Sequence, residues 1–168
     1  MKRVNFNALF VVCLGSFLHF AWDLSGRSAI VAVFAAVNES TWEHLKMAFW
    51  PPLFLVIVHR RLFSAAPGFL PATAVRSLLP PILIILIFYS YVAVLGRNTL
   101  LLDIGTFVLA VFTGELIGER LMFYRPARII RWASMTAIVA AMIAFVSFSF
   151  TTPRNFLFED PKAHPHTL

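Results

Sequence analysis

Apolar and polar residues fall along this chain in long blocks. Runs of about 20 apolar residues, the length an α-helix needs to cross a bilayer, are separated by short clusters rich in Arg, Gly and Pro. The first run extends from about Val4 to Trp22, and in it Ser16, His19 and Asp23 recur at i, i+3 and i+7, making one polar stripe at the far end. Leu24 to Arg27 reads as a turn. Ser28 to Val37 is apolar but too short to cross, and is expected as a re-entrant or interfacial piece. A second span is expected from about Thr41 to Val58, kinked at Pro51 and Pro52 because proline lacks the N–H and crowds the preceding turn, and stopped by His59, Arg60 and Arg61. Residues 62–74, with Pro67, Gly68 and Pro71, read as a loop. A third span runs from about Val75 to Leu95 with a second proline pair at Pro80 and Pro81, and Gly96 to Asn98 is a short turn. The fourth runs from Leu100 to about Gly118, where Ala110, Gly114 and Gly118 make a small-xxx-small face for close helix packing. The fifth covers about Trp132 to Phe150. The pattern thus predicts an all-α integral membrane bundle of five transmembrane helices over residues 1–150, followed by a polar tail over 151–168.

One polar stretch breaks the pattern. Asn38 to Lys46 (NESTWEHLK) places two carboxylates, an imidazole, an ammonium, an amide and two hydroxyls between two membrane-like runs. Ser40 with Glu43 three residues on is a capping box, so a helix is expected to begin here. Could Ser28 to Trp50 be a single span instead? It would carry these charges near mid-bilayer, where each central Lys or Asp costs roughly 2.5–3.5 kcal/mol.

Composition agrees. Of 168 residues, 60% are hydrophobic and 13% charged, against about 25% charged in soluble domains, and the mean hydropathy is +0.81. The net charge of +6 would suit nucleic acid, but the basic residues sit in short loops between apolar spans, where topology signals belong, so the expected partner is the lipid bilayer and not nucleic acid. The N-terminus resembles a secretion signal, yet no small-x-small cleavage site follows and His19 and Asp23 interrupt the run, so a retained first helix is expected. The single cysteine, Cys13, forms no intrachain disulfide.

With five spans the termini lie on opposite sides. Lys2, Arg3, Arg60, Arg61, Arg76, Arg120, Arg125, Arg128 and Arg131 fall on one side; Arg27, Lys46, Arg97, Arg154 and Lys162 fall on the other, nine against five of the 14 basic residues. The positive-inside bias then places the N-terminus in the cytoplasm and the C-terminus outside. The ends of spans one and three and the starts of spans two and four meet at the outer side, where His19, Asp23, Glu39, Glu43, His44, Arg97 and Asp103 can converge. Glu115 lies about 18 Å below Asp103 at 1.5 Å per residue. Glu115 and Glu119 are four apart on one helix face and repel unless one is protonated or an Arg such as Arg120 or Arg125 neutralises them.

Leu18-His19, Ser25-Gly26 and Val37 through Lys46, with Pro153, Leu157-Phe158 and Asp160-Pro161 in the tail, resemble an uncharacterised family of small bacterial multi-pass membrane proteins, a domain of unknown function with a V-N-E-S-x-W-E-H-x-K block. The resemblance covers most of the chain. It implies a membrane protein and no known activity, and the expected location is a bacterial inner membrane.

For chemistry, His19, Asp23 and His44 are ligand types of a zinc-like divalent site, with Glu43 as a candidate general base. Asn38, Glu39, Trp42, Lys46 and Asp103 are candidate binding residues. The same groups could instead close an ion-pair cap with Lys46 and Arg27, or form a proton or substrate relay. Trp22, Trp42 and Trp50 could stack a ligand or anchor span ends at the interface, and Asn38 could contact a ligand or assist the Ser40 cap. His164 and His166 belong to the polar tail. Neither a Gly-rich phosphate loop nor a GxSxG elbow is present. Two classes of function therefore stay open. One is a metal-assisted, membrane-embedded hydrolase acting on a lipid-like or small-molecule substrate. The other is a non-enzymatic ion or small-ligand binder, transporter subunit or assembly factor.

Overall fold

The structure, a computed structural model, describes residues 1–63 and 66–159. Among these residues all regular structure is helical: α1 (Lys2–Leu24), α2 (Ala29–Ala32), α3 (Thr41–Phe63), α4 (Phe69–Leu95), α5 (Leu100–Leu121) and α6 (Arg128–Phe150). Asp160, Pro161, His164 and His166 lie outside the described residues. The five long helices alternate in direction. One end of the bundle gathers the C-terminal ends of α1, α4 and α6 and the start of α3; the other gathers Met1, the start of α4 and the end of α5.

Among the described residues, four helices, α1, α4, α5 and α6, are long and apolar enough to cross a membrane. The expected count of five is corrected by α3. It is as long as α1, but it carries Glu43, His44 and Lys46 in its first turns and a proline pair in the middle. Its lining explains how it fits: Leu45, Ala48, Phe49, Trp50 and Leu55 are buried, so α3 is packed by protein along much of its length. An inner helix needs no lipid-compatible surface, and its polar groups persist where partners satisfy them.

The boundaries shift as well. His59 to Arg61 do not stop α3, which runs to Phe63. Helix α4 begins at Phe69, inside the stretch read as a loop, because Pro71 falls in its first turn, where a missing N–H leaves no helical bond unmade. Helix α6 opens at Arg128 instead of Trp132. Both internal proline pairs are accommodated without ending their helices.

Two close approaches fix the packing. A Cβ at Gly114 would lie 2.7 Å from Pro80 Cγ, and one at Gly118 would lie 2.5 Å from Arg76 Cγ. The small-xxx-small face of α5 therefore receives the proline pair and the arginine stem of α4, with Ala110 fully buried on the same face. On the other side of the bundle, a Cβ at Gly15 would meet the Met47 carbonyl at 2.6 Å, so α1 and α3 also run backbone to backbone.

Candidate functional site

The NESTWEHLK stretch does start a helix, and its cap is shared out. Ser40 Oγ accepts the Glu43 N–H at 3.4 Å, the first arm of the capping box. The return arm comes from Asn38, whose Oδ1 accepts the Ser40 N–H at 2.9 Å. Trp42 N–H donates to the Leu157 carbonyl at 2.8 Å, so the segment after α6 satisfies one more of the amides that a helix start leaves open. Asn38 thus holds backbone, and Trp42 stacks on Phe158 with ring centroids 4.8 Å apart and lies against Phe145 and Phe148.

Glu43 is not needed for the cap because it is engaged elsewhere. Its Oε2 accepts the Val37 N–H at 3.0 Å and lies 2.5 Å from Lys46 Nζ. Both side chains are sealed from solvent, and Lys46 Nζ also donates to the Ala32 carbonyl at 2.8 Å and to Ser149 Oγ at 2.9 Å. The pair works as a clip: one bond from α3 holds the end of α2 at Ala32, a second holds Val37 in the irregular segment that follows, and a third reaches α6.

That clip presents Glu39, which lies between the held Val37 and the capped Ser40. Glu39 Oε2 sits 3.5 Å from His44 Nε2. His44 Nδ1 lies 2.8 Å from the Ser40 carbonyl. A carbonyl only accepts, so Nδ1 carries the proton and Nε2 is turned towards Glu39 with its lone pair or a second proton. The His19 ring, from α1, is tilted against the His44 ring with centroids 5.1 Å apart. One ligand atom from each of His19, Glu39 and His44 lies within 4.8 Å of the others, and all three residues are partly exposed. A neutral imidazole lone pair and a carboxylate facing each other at 3.5 Å repel, and a shared cation removes the repulsion. That cation can be a proton or a metal. In a zinc tetrahedron with bonds of about 2.0–2.1 Å, ligand atoms are separated by about 3.3–3.4 Å, close to the distance between Glu39 and His44.

The predicted ionisable residues therefore separate into four places. His19, Glu39 and His44 meet. Glu43 and Lys46 lie buried behind them. Asp23 leaves the histidine stripe and pairs with Arg27 at 3.3 Å on the exposed end of α1. Asp103 accepts a hydrogen bond from the Tyr91 hydroxyl and another from Asn98 Nδ2 at 3.2 Å, between α4 and α5. Glu39 and Glu43 diverge because Glu39 precedes the helix.

A second polar cluster lies at the opposite end. Glu115 Oε2 accepts from Asn7 Nδ2 at 2.9 Å and lies 3.0 Å from Arg76 Nε. Arg76 Nη2 donates to Glu119 Oε2 at 3.0 Å, and Arg3 pairs with Glu119 Oε1 at 2.5 Å. Asn7, Arg76 and Glu115 are buried. The arginines that neutralise the two glutamates are thus Arg76 and Arg3, in place of Arg120 or Arg125. Sequence reading counted Arg76 as a topology charge. The available signal was its position within an apolar run, one turn before Pro80, in register with the glycine face that leaves it room.

Comparison with known proteins adds a family and no activity. Neither a curated protein nor a solved structure matches the chain. The model of a family of unknown function (DUF6512) matches residues 2–165, nearly the whole chain, and the protein belongs to that family.

Proposed function

We propose that the protein binds a divalent cation such as zinc at the membrane surface through His19, Glu39 and His44. The supporting observation is the His44 bond to the Ser40 carbonyl, which turns the Nε2 lone pair towards Glu39 and His19. Metal-ligating histidines commonly donate their other ring nitrogen to a carbonyl or carboxylate in this way. Two imidazoles and one carboxylate are zinc ligand types, and three protein ligands leave a fourth position for water or a small ligand. On this reading the chain is a multi-pass protein of a bacterial inner membrane, with Met1 in the cytoplasm, the tail outside and the cation site facing outward. The nine-to-five division of basic residues supports that orientation.

The open fourth position also favours a second reading, a metal-assisted hydrolase acting on a lipid-like or small molecule. Glu43 would be its general base, but only after parting from Lys46. The binding reading therefore stands first.

Calorimetric titration of metal-freed protein in detergent with zinc tests the proposal. One zinc per chain is expected, with Glu39→Gln and His44→Ala each weakening binding at least tenfold and Asp23→Asn leaving it unchanged. Equal zinc affinity in wild type, Glu39→Gln and His44→Ala would refute the site.

A further inference from the structure

The outer face of α6 carries a long groove whose occupant the other helices do not supply. Helix α6 turns Ile138 and Phe145 inward, and on its other side Trp132, Met135, Thr136, Val139, Ala140 and Ile143 line a hollow of about 390 Å³. From Trp132 to Ile143 is about 16 Å at 1.5 Å per residue, about half of a hydrocarbon core of roughly 30 Å. The groove is therefore one leaflet deep, and its walls are apolar except for Thr136.

Its mouth is strongly basic. Arg128 is one turn before Trp132, and Arg131 is one turn before Met135, so both stand at the upper end of the groove face. Both are exposed, as are Arg120 in the last turn of α5 and Arg125 on the connection to α6. The carboxylates of α5 at this end, Glu115 and Glu119, are engaged by Arg76 and Arg3. Among the described residues, no side chain of the four exposed arginines has an ion-pair or hydrogen-bond partner.

We infer that this face binds one anionic phospholipid, with its phosphate on Arg128 and Arg131 and one acyl chain laid along the α6 groove. Charge complementarity selects the headgroup: guanidinium groups favour phosphate, and basic positions beside a span are recognised features of anionic-lipid sites. Groove depth selects a lipid over a free phosphate, because only a lipid brings an apolar chain to cover the wall. The inference stands apart from the cation site, which lies at the opposite end of the bundle.

The test measures binding of phosphatidylglycerol and phosphatidylcholine to the full-length protein in detergent by native mass spectrometry, with thermal unfolding alongside. Selective retention of phosphatidylglycerol and a rise in Tm are expected. Each basic residue near an anionic surface contributes about 1 kcal/mol, so Arg128→Gln with Arg131→Gln should weaken binding about thirtyfold. Ala140→Phe, which fills the groove and leaves the charges, should weaken it at least tenfold. Equal retention of both lipids overturns the proposal, as does wild-type affinity in the double Arg variant. Loss in the Arg variant with full retention in Ala140→Phe reduces the face to a diffuse charged surface and overturns the groove. An equal Tm rise with inorganic phosphate would also overturn it.

Discussion

Glu43 and Lys46 form an ion pair with side chains 3% and 0% exposed, and such pairs show their worth only when one half is removed. Deleting one partner strands the other charge and costs about 3–5 kcal/mol, whereas replacing both with apolar groups can be nearly neutral. Lys46→Met alone should therefore lower the unfolding midpoint sharply, and Lys46→Met with Glu43→Leu should recover much of the loss; denaturant unfolding in detergent measures both. Equal losses in the single and double variants would show that the ammonium holds the Ala32 carbonyl and Ser149 independently of Glu43. The same argument separates the two glutamates of NESTWEHLK. Glu39→Gln is partly exposed and removes a cation contact, so its effect should fall on zinc binding with the midpoint within about 0.5 kcal/mol of wild type. The density of ionisable groups marks this stretch in the sequence, but not the division of labour within it. Ser40 and Glu43 fit a capping box by spacing alone. Only folding shows that the Val37 amide and Lys46 both compete for the Glu43 carboxylate and win.

At the scale of elements, the face between α4 and α5 is set by glycines that leave no room for a side chain. Gly114→Leu and Gly118→Leu should each destabilise the bundle by at least 1–3 kcal/mol, the usual cost of overpacking, since the added atoms would meet Pro80 and Arg76. Gly105→Ala supplies the contrast. It lies in the same helix with nothing within 4 Å of an added Cβ, so it should be neutral or stabilise by up to about 1 kcal/mol through helix propensity. Thermal unfolding of the three variants side by side checks the ranking. Helix positions were legible from apolar run lengths, and the small-residue face from its four-residue repeat. Helix ends were less legible. Pro71 looked like a breaker but is tolerated in the first turn of α4, and the basic triplet beginning at His59 looked like a stop but lies within α3. The arginine bound by Glu115 was hidden for a different reason. Arg76 and Glu115 are 39 positions apart (115 minus 76), and nothing local in either segment names the other.

For the whole molecule, α3 decides the topology. If it runs from one membrane face to the other inside its ring of neighbours, Met1 and Leu168 lie on opposite sides; if it does not cross, they share a side. Direction alternates through all five long helices, with Asn7 beside Glu115 at one end and Lys46 beside Ser149 at the other, which predicts opposite sides. Paired reporters fused before Met1 and after Leu168 check this: a cytoplasm-specific reporter should be active at the first position and silent at the second. Activity at both would place α3 wholly on one side of the membrane. The five-span reading went wrong in a physically instructive way. It counted α3 as a span from the apolar run that follows its first turns, whereas α3 is packed by protein, with Leu45, Ala48, Phe49 and Trp50 buried, Glu43 paired with Lys46, and Lys46 donating to Ser149.

The carbonyl of Leu157 that receives the Trp42 amide comes from a late part of the chain. A ribosome working from Met1 makes Trp42 115 residues (157 minus 42) before it makes Leu157. During that interval the start of α3 keeps an open amide at Trp42, and the Trp42 ring lacks Phe145, Phe148 and Phe158. The histidine end of the bundle is therefore completed after the apolar helices have been made. A nascent chain halted after α6 would carry all three candidate cation ligands on an entrance still missing the Leu157 hydrogen bond and the Phe158 ring contact.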